Sequence, residues 1–475
     1  MRSAWSPESK RGSCGRCHRR FDTQSADAIE PGRASGTGPG RPNVKWSPHL
    51  LTRDFTLVWW GQMVSQIGDG VSKLALLWFV YSITGSPLKT TMIGLLQTLP
   101  PILFGPFIGV IVDRVPKKLL LISSDLIRAL VLGVLPCLLP VDSFSIERLY
   151  LMVFVHAVAS AVFGPALTAA IPSLVSRHEF TAANALLQTT TSIGIIVGPA
   201  LSGVGIATMS SQEVLCVNAV SYVISALCFL LIRFPRTETV PAAEGGSLAG
   251  TLRDVMEGFQ YVLHRQRVIL MLIGAASMYT FATSAFSTLF PVFGKKLLDL
   301  GPIEVGYLWS AFGVGLLLVS LGLVSLSSWS LPKRIQLMAV SSFISGLTLL
   351  GLLFTSNRLV AAVLMVIIGM GAGTLTPVAW GVLQEIAPTT LLGRVLAIYN
   401  LGAMTSAIAG MTIFGWVTQE FGERPSVFGI GVGLFLSAVV SWRVARWVQV
   451  NWSETSVPAE EAARSVVMVT QPTSH

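Results

Sequence analysis

The chain has 475 residues and a net charge of +9, yet only 12% of its residues are charged and 52% are hydrophobic. Ordinary soluble domains carry about 25% charged residues, so this composition excludes a typical soluble protein and indicates an integral membrane protein. Nucleic-acid binding is also disfavoured, because the Lys and Arg residues lie in a polar tail and in short connectors rather than on one folded domain.

Residues 1–48 are rich in Arg, Gly, Ser and Pro and predict a disordered cytoplasmic N-terminal tail. The sequence CGRCH at Cys14–His18 matches the pattern of c-type haem attachment. We interpret it as a chance match, because no domain large enough for a haem surrounds it. The tail lacks the apolar core of a secretory signal, and a true start near Val44 is an alternative.

Twelve apolar segments follow, each near the roughly 20 residues that a helix needs to cross a bilayer. They predict an all-α membrane protein with twelve transmembrane helices in two six-helix halves. The predicted spans are 55–82, 90–112, 119–140, 148–173, 183–207, 213–233, 267–292, 303–327, 333–354, 359–385, 394–418 and 426–448.

The first span carries two charged residues near its middle, Asp69 and Lys73. They are one helical turn apart and therefore on similar faces. A lone charge near the middle of a bilayer costs at least about 2.5–3.5 kcal/mol on insertion scales. Either the two residues neutralise each other, or Asp69 lines a central cavity and binds a proton. In the second case Lys73 tunes the pKa of Asp69.

The connector after the second span reads GVIVDRVPKK, from Gly109 through Asp113 and Arg114 to Lys117 and Lys118. A carboxylate at a helix end is favoured next to the N-terminus of another helix, because the helix dipole is positive there. Retention of the connector in the cytoplasm is an alternative explanation for its basic residues.

Three polar residues stand in the third and fourth spans. Asp125 and Arg128 have the spacing of an i,i+3 pair, with the Arg side chain extending toward the interface or contacting a gate inside the bundle. We expect His156 to be a hydrogen-bonded interior residue rather than a proton carrier. Asn218 in the sixth span is expected to bond across helices.

The fifth span contains SIGIIVGPALSG, with Gly194, Gly198, Pro199 and Gly203. Small residues four apart allow two helices to approach closely, and Pro199 is expected to bend its helix.

The connector resembles the signature that the major facilitator superfamily carries between its second and third helices, although Pro116 replaces the usual Gly. The Gly-Pro stretch resembles the motif of the exporters of that family, with Ser202 in place of one Gly. Segments such as ANALLQ and VNAVSYVISA resemble the branch of macrolide-type and siderophore-type exporters. The resemblance implies alternating access, an exporter, and a contact of Asp113 with the start of the eleventh span near Leu392–Arg394 that closes the cytoplasmic side. The fourth span lacks the Arg of the family's proton-relay motif.

The longest internal connector, 234–266, divides the chain into an N-terminal half, 49–233, and a C-terminal half, 267–450, with a disordered cytoplasmic tail at 451–475. Apolar residues at helical spacing in 252–263 indicate an amphipathic surface helix or a simple linker helix. The halves also match at an offset of 212 residues, which pairs Pro165 with Pro377, Gly198 with Gly410 and Gly203 with Gly415. This pattern is typical of parallel repeats.

Basic residues are more frequent in the connectors that share a side with the N-terminus, including Arg114, Lys117, Lys118 and Arg334, than in those on the other side, such as Lys295 and Arg358. The positive-inside rule therefore predicts cytoplasmic termini in a bacterial-type plasma membrane.

We expect a monomeric secondary transporter without enzymatic activity, cofactor or metal site. It would export a hydrophobic or amphiphilic drug-like or siderophore-like molecule, with protons as the coupling ion. The sequence has no phosphate-binding loop for direct use of ATP. An importer of a small metabolite and a non-transporting membrane scaffold or sensor are the alternatives.

Overall fold

The computed structural model describes residues 52–138, 145–234, 267–323, 329–388 and 391–455. The predicted tails and the proposed linker helix within 234–266 lie almost wholly outside these residues. The described residues form twelve long α-helices and no strand. They are α1 (Arg53–Thr84), α2 (Pro87–Arg114), α3 (Lys117–Leu138), α4 (Ile146–Ala170), α5 (Phe180–Thr208), α6 (Ser211–Leu231), α7 (Arg267–Leu297), α8 (Pro302–Leu323), α9 (Leu331–Gly351), α10 (Arg358–Ile386), α11 (Leu392–Phe421) and α12 (Glu423–Thr455).

Short polar signals set several helix ends. The Ser86 hydroxyl accepts a hydrogen bond from the backbone of the first turn of α2, and Ser210 forms a reciprocal capping box with Glu213 at the start of α6. Gly85 ends α1 with a φ of 61°, a conformation that other residues adopt at a cost. The tight α1–α2 turn thus follows directly from the sequence GSP.

Nine of the helices in the described part of the chain are long and apolar enough to cross a bilayer. A tenth, α2, qualifies if its two segments, Pro87–Gly105 and Phe107–Arg114, form one span. The predicted count of twelve is not confirmed by this criterion. The two remaining helices are α1 and α3, and each carries charged residues within its length, Asp69 and Lys73 on α1 and Asp125 and Arg128 on α3.

We call α1–α6 the N-half and α7–α12 the C-half. In the N-half, α1 packs against α5 and α6, and α3 packs against α4 and α6. In the C-half, α7 packs against α11 and α12, while α10 packs against α8 and α9. The main contacts between the halves are those of α2 with α11 and of α5 with α8.

The paired glycines of the two predicted repeats occupy equivalent positions. A Cβ atom added at Gly198 would lie 2.6 Å from a backbone atom of α1, and one added at Gly410 would lie 1.9 Å from the backbone of α7. Gly203 approaches α8 of the C-half in the same way, and Gly415 approaches Thr91 on α2 of the N-half. The repeat that the sequence indicates is therefore visible in the helix packing.

The two halves meet toward one end of the bundle, which we call the closed end. Ser86 of α2 donates a hydrogen bond of 2.7 Å to Gln419 of α11 there. At the opposite end, an added Cβ at Gly105, Gly109 or Gly393 would meet no atom within 4 Å. We call this the open end, because these glycines of α2 and α11 make no close contact there.

Candidate functional site

A cavity of about 150 Å³ lies between the two halves. Four helices contribute to it, α1 and α5 from the N-half and α7 and α8 from the C-half. The lining residues are mostly apolar: Gly70, Lys73, Leu74, Leu77, Ile195, Pro199, Ser287, Pro291, Trp309, Phe312 and Leu316.

Lys73 is the charged residue among these lining side chains. Its Nζ atom lies 5.9 Å from the centre of the Trp309 ring, on the other half of the molecule. It makes no ion pair with a described residue. Of the two alternatives for Lys73 and Asp69, mutual pairing is not observed, because their side chains contact different neighbours although they are one turn apart.

Asp69 instead faces the interior of the N-half. Its Oδ2 atom lies 4.0 Å from Nη1 of Arg128 on α3. Its Oδ1 atom accepts a hydrogen bond from the hydroxyl of Tyr222 on α6. The Asp69 side chain is still 33% exposed. A carboxylate that is both paired and accessible to water is able to exchange a proton.

Arg128 is buried between two carboxylates and two aromatic rings. It forms the predicted i,i+3 ion pair with Asp125, and its guanidinium lies 4.3 Å from the ring centres of both Phe163 and Tyr222. Of the two alternatives for Arg128, extension toward the interface is not observed, because the side chain is only 4% exposed; the gate contact remains a prediction. Cation–π contacts of this kind strengthen when water is excluded.

Tyr222 connects the charged residues to further polar groups, and the sequence analysis did not identify it. Its oxygen lies 3.0 Å from Nε2 of His156. Because its single hydroxyl proton is donated to Asp69, the histidine must be the donor in this second bond. His156 is thus the hydrogen-bonded interior residue that was expected. Asn218, one turn before Tyr222, donates to Ser72 across helices at 2.7 Å, as also expected.

The connector motif lies at the open end. Asp113 and Arg114 are exposed, and the Asp113 carboxylate makes no ion pair with a described residue. Its contact with the start of α11 remains a prediction. Lys117 donates a long hydrogen bond to the backbone oxygen of Asp113. Lys118 donates to the carbonyl oxygens of Leu230 at 2.8 Å and Ile232 at 2.7 Å, so it caps the end of α6.

The Gly-Pro motif contacts two helices at once. Gly194 and Gly198 pack against the backbone of α1 around Gly70. Further along, an added Cβ at Gly203 would lie 2.4 Å from the carbonyl oxygen of Pro302 on α8, and one at Gly306 would lie 2.4 Å from that of Pro199. The motif therefore sets both the approach of α1 within the N-half and the contact between halves.

A bundle of apolar helices with a cavity between two groups of helices is the architecture of a membrane transporter. The chain belongs to the Major Facilitator Superfamily, whose family model matches residues 58–411. The resemblance drawn from the sequence motifs is thereby confirmed.

Relatives of the chain include efflux proteins. It is 27% identical over 347 residues to Macrolide efflux protein A of Streptococcus pyogenes, covering 72% of this chain and 84% of that protein. It is 26% identical over 412 residues to Multidrug efflux pump Tap of Mycolicibacterium fortuitum, covering 84% and 96% respectively.

Solved structures share the fold at low sequence identity. The nucleoside transporter NupG aligns with a TM-score of 0.65 at 13% identity, over 84% of this chain and 99% of that one. A bacterial homologue of the lysosomal transporter Spinster, in an inward-facing and unoccupied conformation, aligns with a TM-score of 0.62 at 13% identity over 83% and 98%.

Proposed function

We propose that the protein is a secondary active exporter that moves a hydrophobic or amphiphilic small molecule, drug-like or siderophore-like, across the plasma membrane by alternating access. The observation that carries this proposal is the largely apolar cavity between the two halves. The efflux proteins among its relatives support the outward direction.

In this proposal all twelve helices cross the membrane as two six-helix halves, 49–233 and 267–450, in a monomer. Both termini and the open end face the cytoplasm, as the distribution of basic connectors favours. The cost of the charges of Asp69, Asp125 and Arg128 is reduced because Arg128 pairs with both carboxylates inside the bundle, while Lys73 faces the cavity.

Protons are the proposed coupling ion and Asp69 their carrier. Protonation of Asp69 removes its attraction to Arg128, which keeps Asp125 as its partner. Helix α1 is then less firmly held by α3 and is free to shift. Because Lys73 and the cavity wall belong to the same helix, this shift changes the cargo site and links proton binding to cargo release.

Asp113 is the proposed latch of the open end. When the halves close there, its carboxylate would meet the N-terminus of α11 near Gly393, where the helix dipole favours an anion.

Transport into inverted membrane vesicles tests the proposal. Vesicles that contain the protein should accumulate members of a panel of lipophilic drugs and siderophore-like compounds when the vesicle interior is made acidic. They should lose these compounds when the proton gradient is collapsed. Accumulation that does not depend on the gradient would support export but exclude protons as the coupling ion.

Import remains the second candidate, because the fold is shared with a nucleoside transporter. It predicts uptake by right-side-out vesicles, whereas the exporter predicts uptake by inverted ones. Failure of every compound in both preparations would contradict transport of this class of molecule altogether.

A further inference from the structure

Lys73 has no assigned ion-pair partner in the proposed proton-coupling network. The two carboxylates of the buried network, those of Asp69 and Asp125, both pair with Arg128. Lys73 itself lies outside this network, is exposed, and makes no ion pair with a described residue. Its ammonium group therefore faces the cavity unbalanced.

The surroundings of Lys73 are apolar. Leu74 and Leu77 continue its face of α1, and Trp309 and Phe312 stand opposite on α8. The hydroxyl of Ser287 is a second polar group in the lining, but it donates its proton to the backbone oxygen of Ser284 at 2.9 Å. It is thus committed as a donor, and Lys73 is the group that can bind a negative charge.

Closing the cavity raises the cost of this arrangement. In the present conformation water reaches the ammonium group, whereas alternating access requires the cavity to close around its cargo. A charge removed from water without a partner is strongly unfavourable. An opposite charge within a few ångströms offsets that cost, and it does so more effectively as the surroundings become less polar.

We propose that Lys73 is the binding group for an anionic cargo. The cavity then takes amphiphilic molecules that carry one negatively charged group, such as a carboxylate, on an apolar or aromatic body that packs against Trp309 and Phe312. This inference rests on the proposed function, since it names the class of molecule that is exported. A cationic amphiphile is repelled by the same residue.

Binding to the purified full-length protein in lipid nanodiscs tests this inference without requiring transport. Three fluorescent probes share one apolar body and differ in charge: dansylglycine is an anion, dansylamide is neutral and dansylcadaverine is a cation. We expect the wild-type protein to bind dansylglycine about tenfold more tightly than dansylamide, which corresponds to about 1.4 kcal/mol. Dansylcadaverine should bind most weakly.

Substitutions at Lys73 then separate charge from packing. Lys73→Met should lose the preference for dansylglycine and leave dansylamide binding within about twofold, whereas Lys73→Arg should keep the preference. Lys296→Met is the matched control, because Lys296 is exposed at the end of α7 and does not line the cavity. It should leave all three affinities unchanged.

Equal affinities for the three probes, a preference for the cation, or no measurable binding of dansylglycine would overturn the inference. So would a Lys73→Met variant that still prefers the anion. These outcomes are independent of the proposed export. Anion binding with no transport in vesicles would contradict the proposed export and leave the anion-binding site supported. Export of cations that Lys73→Met does not affect would support export and contradict the anion-binding site.

Discussion

Asp69 and Arg128 face each other across two helices, with 4.0 Å between Oδ2 and Nη1. The pair joins α1, which borders the cavity, to α3, which lies away from it. Through Tyr222 the same carboxylate is also tied to α6. A change in the charge of Asp69 therefore alters the contacts of α1 with two other helices at once.

Replacing Asp69 by Asn should abolish efflux driven by a proton gradient, because the amide side chain cannot take up and release a proton as a carboxylate does. Transport in inverted vesicles measures this, with protein abundance in the membrane checked by immunoblot. Glu420→Gln is the control, since Glu420 is an exposed carboxylate at the end of α11. Full gradient-driven transport by the Asn variant would end the coupling role of Asp69.

Arg128→Met should destabilise the protein by about 3–5 kcal/mol, because it leaves two carboxylates without their buried counter-ion. Thermal unfolding in detergent, monitored by intrinsic tryptophan fluorescence, measures the effect. Arg358→Met provides the comparison: Arg358 pairs with Glu304 at 3.3 Å but is 70% exposed. Loss of such a surface pair costs about 1 kcal/mol or less. Equal losses in the two variants would contradict the assigned role of the buried cation.

Tyr222→Phe removes one hydroxyl and keeps the ring that covers Arg128. We expect gradient-driven efflux to fall while the unfolding temperature changes little, because the lost hydrogen bonds orient Asp69 and His156 rather than fill space. Tyr222→Ala should lower the unfolding temperature much further, since it also leaves a cavity beside the guanidinium. If the Phe variant transports like the wild type, the hydroxyl has no part in coupling.

Gly198→Ala should disrupt the packing of α1 on α5. The added Cβ would lie 2.6 Å from the Cα of Gly70, and backbone on both sides leaves no side chain that can move away. We expect reduced thermal stability together with reduced transport. Gly274→Ala tests whether any helical glycine gives the same result, because an added Cβ there meets nothing within 4 Å. That control should be neutral or slightly stabilising.

Asp113→Asn should leave the stability of the present conformation unchanged, because the carboxylate is exposed and makes no ion pair with a described residue. Transport should nevertheless fall, since closure of the open end loses its anion–dipole contact. A single cysteine introduced at Gly105 and labelled with a maleimide dye reports the state of that end. Labelling should become faster and more complete in the Asn variant; slower labelling would contradict the latch.

Some features of the site follow from local spacing and were therefore predictable. Asp125 and Arg128 are three residues apart on one helix, so their pairing needs no knowledge of the fold. The glycines at 194 and 198 likewise indicate a close helix contact whatever the partner.

The partners of Asp69 and Lys73 depend instead on how the helices assemble. Nothing in the spacing along α1 distinguishes a mutual pair from two residues that contact α3 and α8 separately. Tyr222 was missed although a signal was present. It lies one turn after Asn218, which was expected to bond across helices, and so shares that polar face.

The contact between α5 and α8 consists largely of main chain against main chain. Gly203, Gly306 and Gly313 contribute no side chain, and what they touch is mostly the carbonyl groups and Cα atoms of the opposite helix. At these glycines the two helices can part and meet again with little change in side-chain rotamer freedom. The α5–α8 part of the contact between the halves can therefore open at a small entropic cost.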